Sequence, residues 1–354
     1  MSQLFDLYTN AREYDNEFPD QFGRARLYNA DNRNIFDPAV SNRIYSSGLT
    51  PYYPGNRQFA VCVSHDIDHL FLHQKPARRL VNAGKGFLKG RFGQAFDQLG
   101  SLAKEKVYRD YDLKNLVDIN DEYGVRPTYY FLSLEKADQD FNYSLASIPE
   151  QVDAVIQSGG EIGLHGGHKA YNNYGKLTQE KELLEKSIGR SVYGYRNHYL
   201  RFELPVTWSY LEKAGFTYDT TLGYADCIGF RNGMCYPFHP YDVKGRQFLN
   251  IVELPLIIMD ASLFFYMRMD MNTAFKACKQ VIEKVMNCNG VLTLLWHNNF
   301  VTGEMGTFYT KILDFLRSTD PWFANSAEVI EWWRKEGFLQ RSQGIIRGFL
   351  EDNV

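Results

Sequence analysis

The chain has 354 residues, 44% of them hydrophobic and 15% aromatic, with a formal net charge of −3. That length can bury one large core or two smaller ones, and the near-neutral charge excludes a global electrostatic drive towards nucleic acid or a membrane surface. The odd set of five cysteines, Cys62, Cys227, Cys235, Cys278 and Cys288, contains no CxxC pair, which argues against a disulfide framework and for reduced thiols.

The opening MSQLFDLYTNAREYDNEF is polar and acidic, without the basic and then apolar order of a secretory signal. The longest apolar runs, GVLTLLW and FLNIVELPLIIMD, are too short to span a bilayer. The expectation is a cytoplasmic protein with no integral membrane segment and no nucleic-acid partner. Residues 1–57, rich in Asn, Asp, Tyr and Pro with little periodicity, are expected to form an irregular segment packed on a domain that spans 58–340.

From Phe59 a rhythm begins. FAVCVSH (59–65) predicts a strand and LKNLVDINDEYG (113–124) a helix with a glycine stop. PTYYFLS (127–133), EIGLH (161–165), VYGYRNH (192–198), FTYDTT (216–221), FLNIVELPL (248–256) and GVLTLLWH (290–297) read as further strands. Between them, PEQVDAVIQSGG (149–160), LTQEKELLEKSIG (177–189), LPVTWSYLEKAG (204–215) and NTAFKACKQVIEKVMNCNG (272–290) read as helices, followed by FYTKILDFLRS (308–318) and AEVIEWWRKEG (327–337). Thr178 is the expected cap of the 177–189 helix, with Lys181 at the third position, and Gly189 ends it. Residues 341–354 read as a C-terminal tail.

Strands alternating with helices imply right-handed crossovers and a parallel sheet. Seven or eight such units over about 280 residues favour an α/β fold of the TIM type, a distorted (β/α)7–8 barrel, over an open sheet. No strand is followed by GxGxxG, which disfavours a dinucleotide fold. Two stretches break the rhythm. Residues 70–107 form an insertion carrying Lys75, Arg78, Arg79, Lys85, Lys89, Arg91, Lys104 and Lys106 against only Asp97 and Glu105. A solvated helical hairpin is the simple expectation, and a basic face for an anionic or lipid-linked substrate the sharper one. Residues 223–245 form a long loop rich in Gly, Pro and aromatics, the kind that often serves as a lid.

In a parallel barrel the site lies at the C-terminal ends of the strands. The first ends in His65, Asp66, Asp68 and His69, the third in HGGH (165–168), the fourth in Arg196, His198 and Tyr199, and the fifth near Asp219. The sixth carries Glu253, and the last ends in Trp296, His297 and Asn298. Residues two apart on a strand share a face, so Asp66 and Asp68 lie together, with His65 and Ile67 opposite. Two carboxylates held that close repel unless a cation joins them or one takes a proton. His165 and His168, joined by two glycines, can both reach one ion. One Asp with two His makes a zinc-type ligand set with a position left for water, and the other Asp is then free to act as base. Taken singly, DxD, HxxH, Arg196 and His297 are weak signals. Their ordered placement on successive strand ends is what carries weight.

Here the chain resembles the polysaccharide deacetylase family, the NodB-homology group of carbohydrate esterases, over residues 59–335. SHDID, HGGH, YRNHYLRF and LLWHNN fall in the order of that family's motifs. The resemblance implies the distorted barrel and hydrolysis of N- or O-acetyl groups on sugars. It implies that Asp66 is general base, oriented by Arg196, and that Asp68, His165 and His168 hold a divalent ion, zinc by preference. The backbone N–H of Tyr199 stabilises an oxyanion. His297 acts as general acid, oriented by Glu253, or alternatively by Asp219 or Asp260. Trp296, His198, Asn298 and Arg231 are assigned to substrate contact, with a carbohydrate as partner. The family usually spaces its metal histidines four apart, a position held here by Lys169, and His198 stands where a proline is usual. A competing expectation is a catalytically altered barrel that only binds carbohydrate. An all-helical HD phosphohydrolase is disfavoured because the His65-Asp66 pair ends a strand.

Overall fold

The computed structural model describes residues 3–15, 19–27, 34–70, 84, 113–134 and 143–351. The basic insertion 70–107 therefore lies almost wholly outside the described residues.

The strands in chain order are β1 (Ala60–Ile67), β2 (Thr128–Leu132), β3 (Glu161–Gly166), β4 (Gly194–Asn197), β5 (Tyr218–Asp219), β6 (Tyr241–Asp242), β7 (Gln247–Phe248), β8 (Val252–Glu253), β9 (Ile258–Met259), β10 (Val291–Leu295) and β11 (Trp322–Phe323). The helices are α1 (Gln3–Thr9), α2 (Ala39–Ser46), α3 (Leu113–Glu122), α4 (Pro149–Gln157), α5 (Tyr174–Ile188), α6 (Val206–Lys213), α7 (Met271–Asn287), α8 (Gly303–Arg317), α9 (Ser326–Lys335) and α10 (Phe338–Glu351). All pairings in the main sheet are parallel, in the order β8-β5-β4-β3-β2-β1-β10-β9, and β11 joins β1. The sheet curls into a half-barrel with helices outside, the expected distorted (β/α) form. Every residue of β1, β2 and β10 is buried, as strands covered on both faces must be, and their sequences are accordingly near-continuous apolar runs.

The interior below the rim is filled by tyrosines. The Tyr130 hydroxyl meets that of Tyr218 at 3.5 Å, and Tyr218 donates to Glu161 Oε1 at 2.6 Å. The rings of Tyr130 and Tyr218 lie over Gly163 and Gly194, their register partners on the next strand, where any Cβ would overlap them. Glycine there is a matter of space. Gly163→Ala is expected to cost about 1–3 kcal/mol through overpacking, read from urea unfolding at constant m.

Four sequence expectations are corrected. Residues 1–57 are not merely irregular, since α1 buries Phe5, Leu7 and Tyr8 and α2 buries Val40 and Ile44 against the barrel. The 341–354 stretch is not a tail as far as Glu351, because α10 buries Phe338, Leu339, Ile346 and Phe349 and packs on α1 and α2. The 248–256 strand is broken into pieces of two residues. Helix α5 begins at Tyr174, capped by Asn173 Oδ1 accepting from the Lys176 N–H at 3.0 Å, whereas Thr178 bonds back to the Tyr174 carbonyl within the helix. Gly189 does close it, at φ 69°. Among the described residues no helix is long and apolar enough to cross a membrane, and all five cysteines are free and buried.

Candidate active site

Alternation along β1 sorts its side chains. Ser64 and Asp66 face the interior, where Arg196 Nη1 donates to Ser64 Oγ at 2.7 Å and to Asp66 Oδ1 at 3.0 Å. Arg196 is 1% exposed, lies 4.5 Å over the Tyr130 ring, and donates from Nε to Thr220 Oγ1 at 3.0 Å. A guanidinium so fixed presents the Asp66 carboxylate in one orientation.

His65 points the other way, as expected. Its Nδ1–H donates to the Trp296 carbonyl at 2.6 Å, and its Nε2 accepts from Asn120 Nδ2 at 3.0 Å, so the ring is neutral. Burial leads in pushing its pKa down, to about 4. The unfolded chain then binds one more proton between about pH 4 and 6.5. This contribution to stability is complete above pH 6.5 and lost as the pH falls, by up to about 3 kcal/mol. His65→Gln is expected to flatten the pH dependence of urea stability in that window, and an unchanged slope would refute the assignment.

Past the end of β1, Asp68 Oδ1 lies 3.2 Å from His165 Nε2 and 3.5 Å from His198 Nε2. Ligand atoms of Asp68, His165 and His198 all lie within 4.8 Å of one another. His165 Nδ1–H donates to the Arg196 carbonyl at 3.0 Å, which leaves the Nε2 lone pair facing Asp68. Asp68 Oδ1 and His165 Nε2 are buried and face each other without hydrogen-bond geometry. Such a pair fits a shared cation, and one carboxylate with two imidazoles is a donor set for a divalent ion. Burial pushes the Asp68 carboxyl up, but His198, His165 and His297 in their protonated forms, the role an ion would take over, outweigh it and hold it well below the usual carboxylate range.

The third member of the cluster is His198, where the sequence expectation had His168. His168 lies beside the cluster, its ring 5.3 Å from that of His198 and 4.9 Å from that of Tyr199. The turn after β3 is held from both sides. The Gly167 N–H donates to Glu180 Oε2 at 2.8 Å, and the His168 carbonyl accepts from Arg201 Nη1 at 2.6 Å. His198 replaces it because β4 ends one strand over, in parallel register with β3, and the chain then turns sharply at Tyr199, φ 60°.

His297 stands across the pocket with its Nε2 3.8 Å from Asp68 Oδ2. Its Nδ1 is 2.6 Å from Asp260 Oδ1, and its backbone N–H donates to Asp260 Oδ2 at 2.7 Å. Burial lowers the imidazole pKa, but Asp260, then Asp68 and Asp66, raise it to about 10. Asp260, following β9, is thus the orienting carboxylate. Glu253 is elsewhere, accepting from Trp208 Nε1 at 2.8 Å and the Leu222 N–H at 3.1 Å. Burial, then repulsion from Asp219, holds Glu253 well above the usual range, and burial raises Asp219 to about 6.

Three assigned substrate contacts are placed differently. Trp296 is fully buried, stacked on Phe308 and Tyr309 with Nε1 donating to the Phe300 carbonyl at 2.9 Å, so it is core. Arg231 forms a buried ion pair with Glu13 and donates to the Gly223 carbonyl at 3.0 Å, tying the 223–245 loop to the N-terminal segment. Asn298 is buried, its Nδ2 donating to the His69 carbonyl at 2.8 Å. The site opens into a cavity of about 150 Å³ lined by Asp66, Asp68, His198, Tyr199 and His297, and also by Arg24 and Tyr266, which sequence reading did not single out. No local signal marks those two, since the N-terminal segment bearing Arg24 and the Ser262–Tyr266 turn bearing Tyr266 reach the rim only through the fold.

No family model matches the chain, and no curated protein is similar to it. Solved structures are similar in fold. A protein from Mycobacterium smegmatis described as a polysaccharide deacetylase is 19% identical, with a TM-score of 0.55 over 82% of this chain and 95% of its own. Another so described, from Pseudomonas aeruginosa PAO1, is 14% identical with a TM-score of 0.56, over 82% and 96%. Puue allantoinase is 13% identical at a TM-score of 0.56, over 82% and 96%. The motif order along β1, β3, β4 and β10 and the curled parallel sheet agree with these likenesses: the chain has the polysaccharide deacetylase fold.

Proposed function

We propose that the protein is a metal-dependent hydrolase that removes an acetyl or similar acyl group from an amino sugar or glycan precursor, at an amide or ester bond. The observation that carries this reading is the convergence on one small cavity of three separately supported units: Asp66 on Arg196, His297 on Asp260, and the Asp68–His165–His198 group. Two of the neighbours in fold are polysaccharide deacetylases by description, which favours an acetylated sugar as substrate.

Asp68, His165 and His198 would hold the ion, zinc by the character of the donor set. When bound, zinc supplies a Lewis acid that polarises the acyl carbonyl and acidifies water. Asp66, held by Arg196, takes the proton from the attacking water. The backbone N–H of Tyr199, in the turn at φ 60°, would stabilise the developing oxyanion. His297 is kept protonated by Asp260 and delivers its proton to the departing amine or alkoxide. The same environment separates base from acid: one carboxylate is pinned by a cation, and one imidazole by a carboxylate. Acetate release from N-acetylated amino sugars, abolished by a chelator and restored by zinc, is the experiment that tests this reading. Release that persists undiminished through metal removal would overturn it.

A further inference from the structure

Beside the catalytic cavity lies a second one of about 290 Å³, lined by Asp20, Gln21, Arg24, Arg26, Asp226 and Tyr266 among others. Arg24 and Tyr266 line both cavities, so the two adjoin across that pair. Arg24 is 6% exposed and is fixed from three directions. Its Nε donates to Asp20 Oδ2 at 2.7 Å, Nη1 to the Tyr199 carbonyl at 2.9 Å, and Nη2 to the Tyr266 hydroxyl at 3.0 Å. Phe22 stacks on Tyr199 at 4.6 Å. The segment 20–26 is thus built into the rim as a wall beside the turn that carries His198 and Tyr199. The buried Glu13–Arg231 pair anchors the preceding turn, Ala11–Asp15, to the 223–245 loop.

The second observation is aromatic. Tyr266 is 41% exposed and Phe265 54%, two of the few large hydrophobic side chains left in water among the described residues, and both lie on the π-helical turn Ser262–Tyr266 that follows Asp260. Such turns recur at functional sites. Tyr266 accepts from Arg24, which leaves its own O–H to donate. Among the described residues Asp226 accepts long bonds, 3.4 and 3.3 Å, from the Leu27 N–H, which leave acceptor capacity on its carboxylate. An aromatic face edged by carboxylate, amide and guanidinium groups matches a pyranose, with one apolar face and a belt of hydroxyls.

Building on the proposed hydrolase reading, we infer that this cavity is the subsite for the sugar body of the substrate, that Tyr266 is a specificity residue within it, and that it takes a single sugar unit. The single-unit reading rests on the segment 20–26, which lines this cavity and is tied through Arg24 to the Tyr199 carbonyl, bounding the cavity on that side.

The test is calorimetric titration of the full-length protein with N-acetylglucosamine and with chitotetraose, using wild type, Tyr266→Ala and Tyr266→Phe. Tyr266 is half exposed, and its replacement spares the core. The monosaccharide is expected to bind, Tyr266→Ala to weaken it about tenfold and Tyr266→Phe by less, and chitotetraose to bind no tighter than the monosaccharide. Unchanged affinity in Tyr266→Ala, tetramer binding at least tenfold tighter, or no binding of either sugar would each overturn the subsite. Acetate release measured alongside separates this inference from the reading beneath it. Binding in the expected pattern without any release leaves the subsite standing and removes the hydrolase, whereas release with KM unmoved by Tyr266→Ala does the reverse.

Discussion

His198→Ala is expected to weaken zinc binding by at least about 100-fold, whereas His168→Ala leaves it within about threefold. Even the loss of an outer partner of a metal ligand costs about 10–100-fold in affinity, and His198 belongs to the inner group: its Nε2 lies 3.5 Å from the carboxylate oxygen that also faces His165. His168 packs its ring against those of His198 and Tyr199 and is not among the ligand atoms that lie within 4.8 Å of one another. Competition titration of the purified apoprotein with a chromogenic zinc chelator reads both variants. The reverse pattern, with His168 essential and His198 dispensable, would mean that the HGGH turn reaches the ion and that the geometry at β4 has been misread. The measurement needs no substrate, so it decides the ligand set whether or not the acyl donor is known.

The second large effect is kinetic. Asp66→Asn is expected to lower turnover of an acetylated substrate by about 10²–10⁴-fold, the usual contribution of a positioned base, with zinc content retained. Asn preserves the shape of the side chain and the acceptor for Arg196 Nη1, now at 3.0 Å from Asp66 Oδ1, but cannot take a proton from water. Asp68, whose carboxylate belongs to the ligand group, is untouched. Loss of rate with full zinc therefore isolates proton transfer, while loss of both would make Asp66 part of the metal site. Full turnover in Asp66→Asn would remove it from the mechanism.

Much of this architecture can be read in the sequence because it is local. Apolar runs of strand length, punctuated by amphipathic stretches that close on Gly124, Gly189 and Gly215, specify alternating elements, and alternation forces parallel crossovers. The two-residue period of β1 separates Asp66 from His65 before any packing is known, and Arg196 and His65 sit where that separation requires. The elements that escaped reading are those whose pattern depends on a partner. Helices α1, α2 and α10 present their apolar faces to one another and to the barrel, and β9 and β11 have two residues each, too few for any period to register.

At the site, the sequence by itself determined which strands end in ionisable groups, and therefore that carboxylates, imidazoles and one guanidinium share a rim. Which of them meet was decided only by tertiary structure. Beyond a strand's last residue, side-chain direction follows from backbone torsions and from who holds the turn. Glu180 and Arg201 hold the HGGH turn so that His168 lies outside the ligand group, and the left-handed turn at Tyr199 leaves His198 within it. Three carboxylates were candidates for His297, and only the curl of the sheet brings Asp260 to 2.6 Å while leaving Glu253 with Trp208. Trp296 lies in the core and Arg231 in a buried ion pair because burial depends on the covering layer, and part of that layer is the N-terminal segment, more than two hundred positions away from Arg231 in the chain.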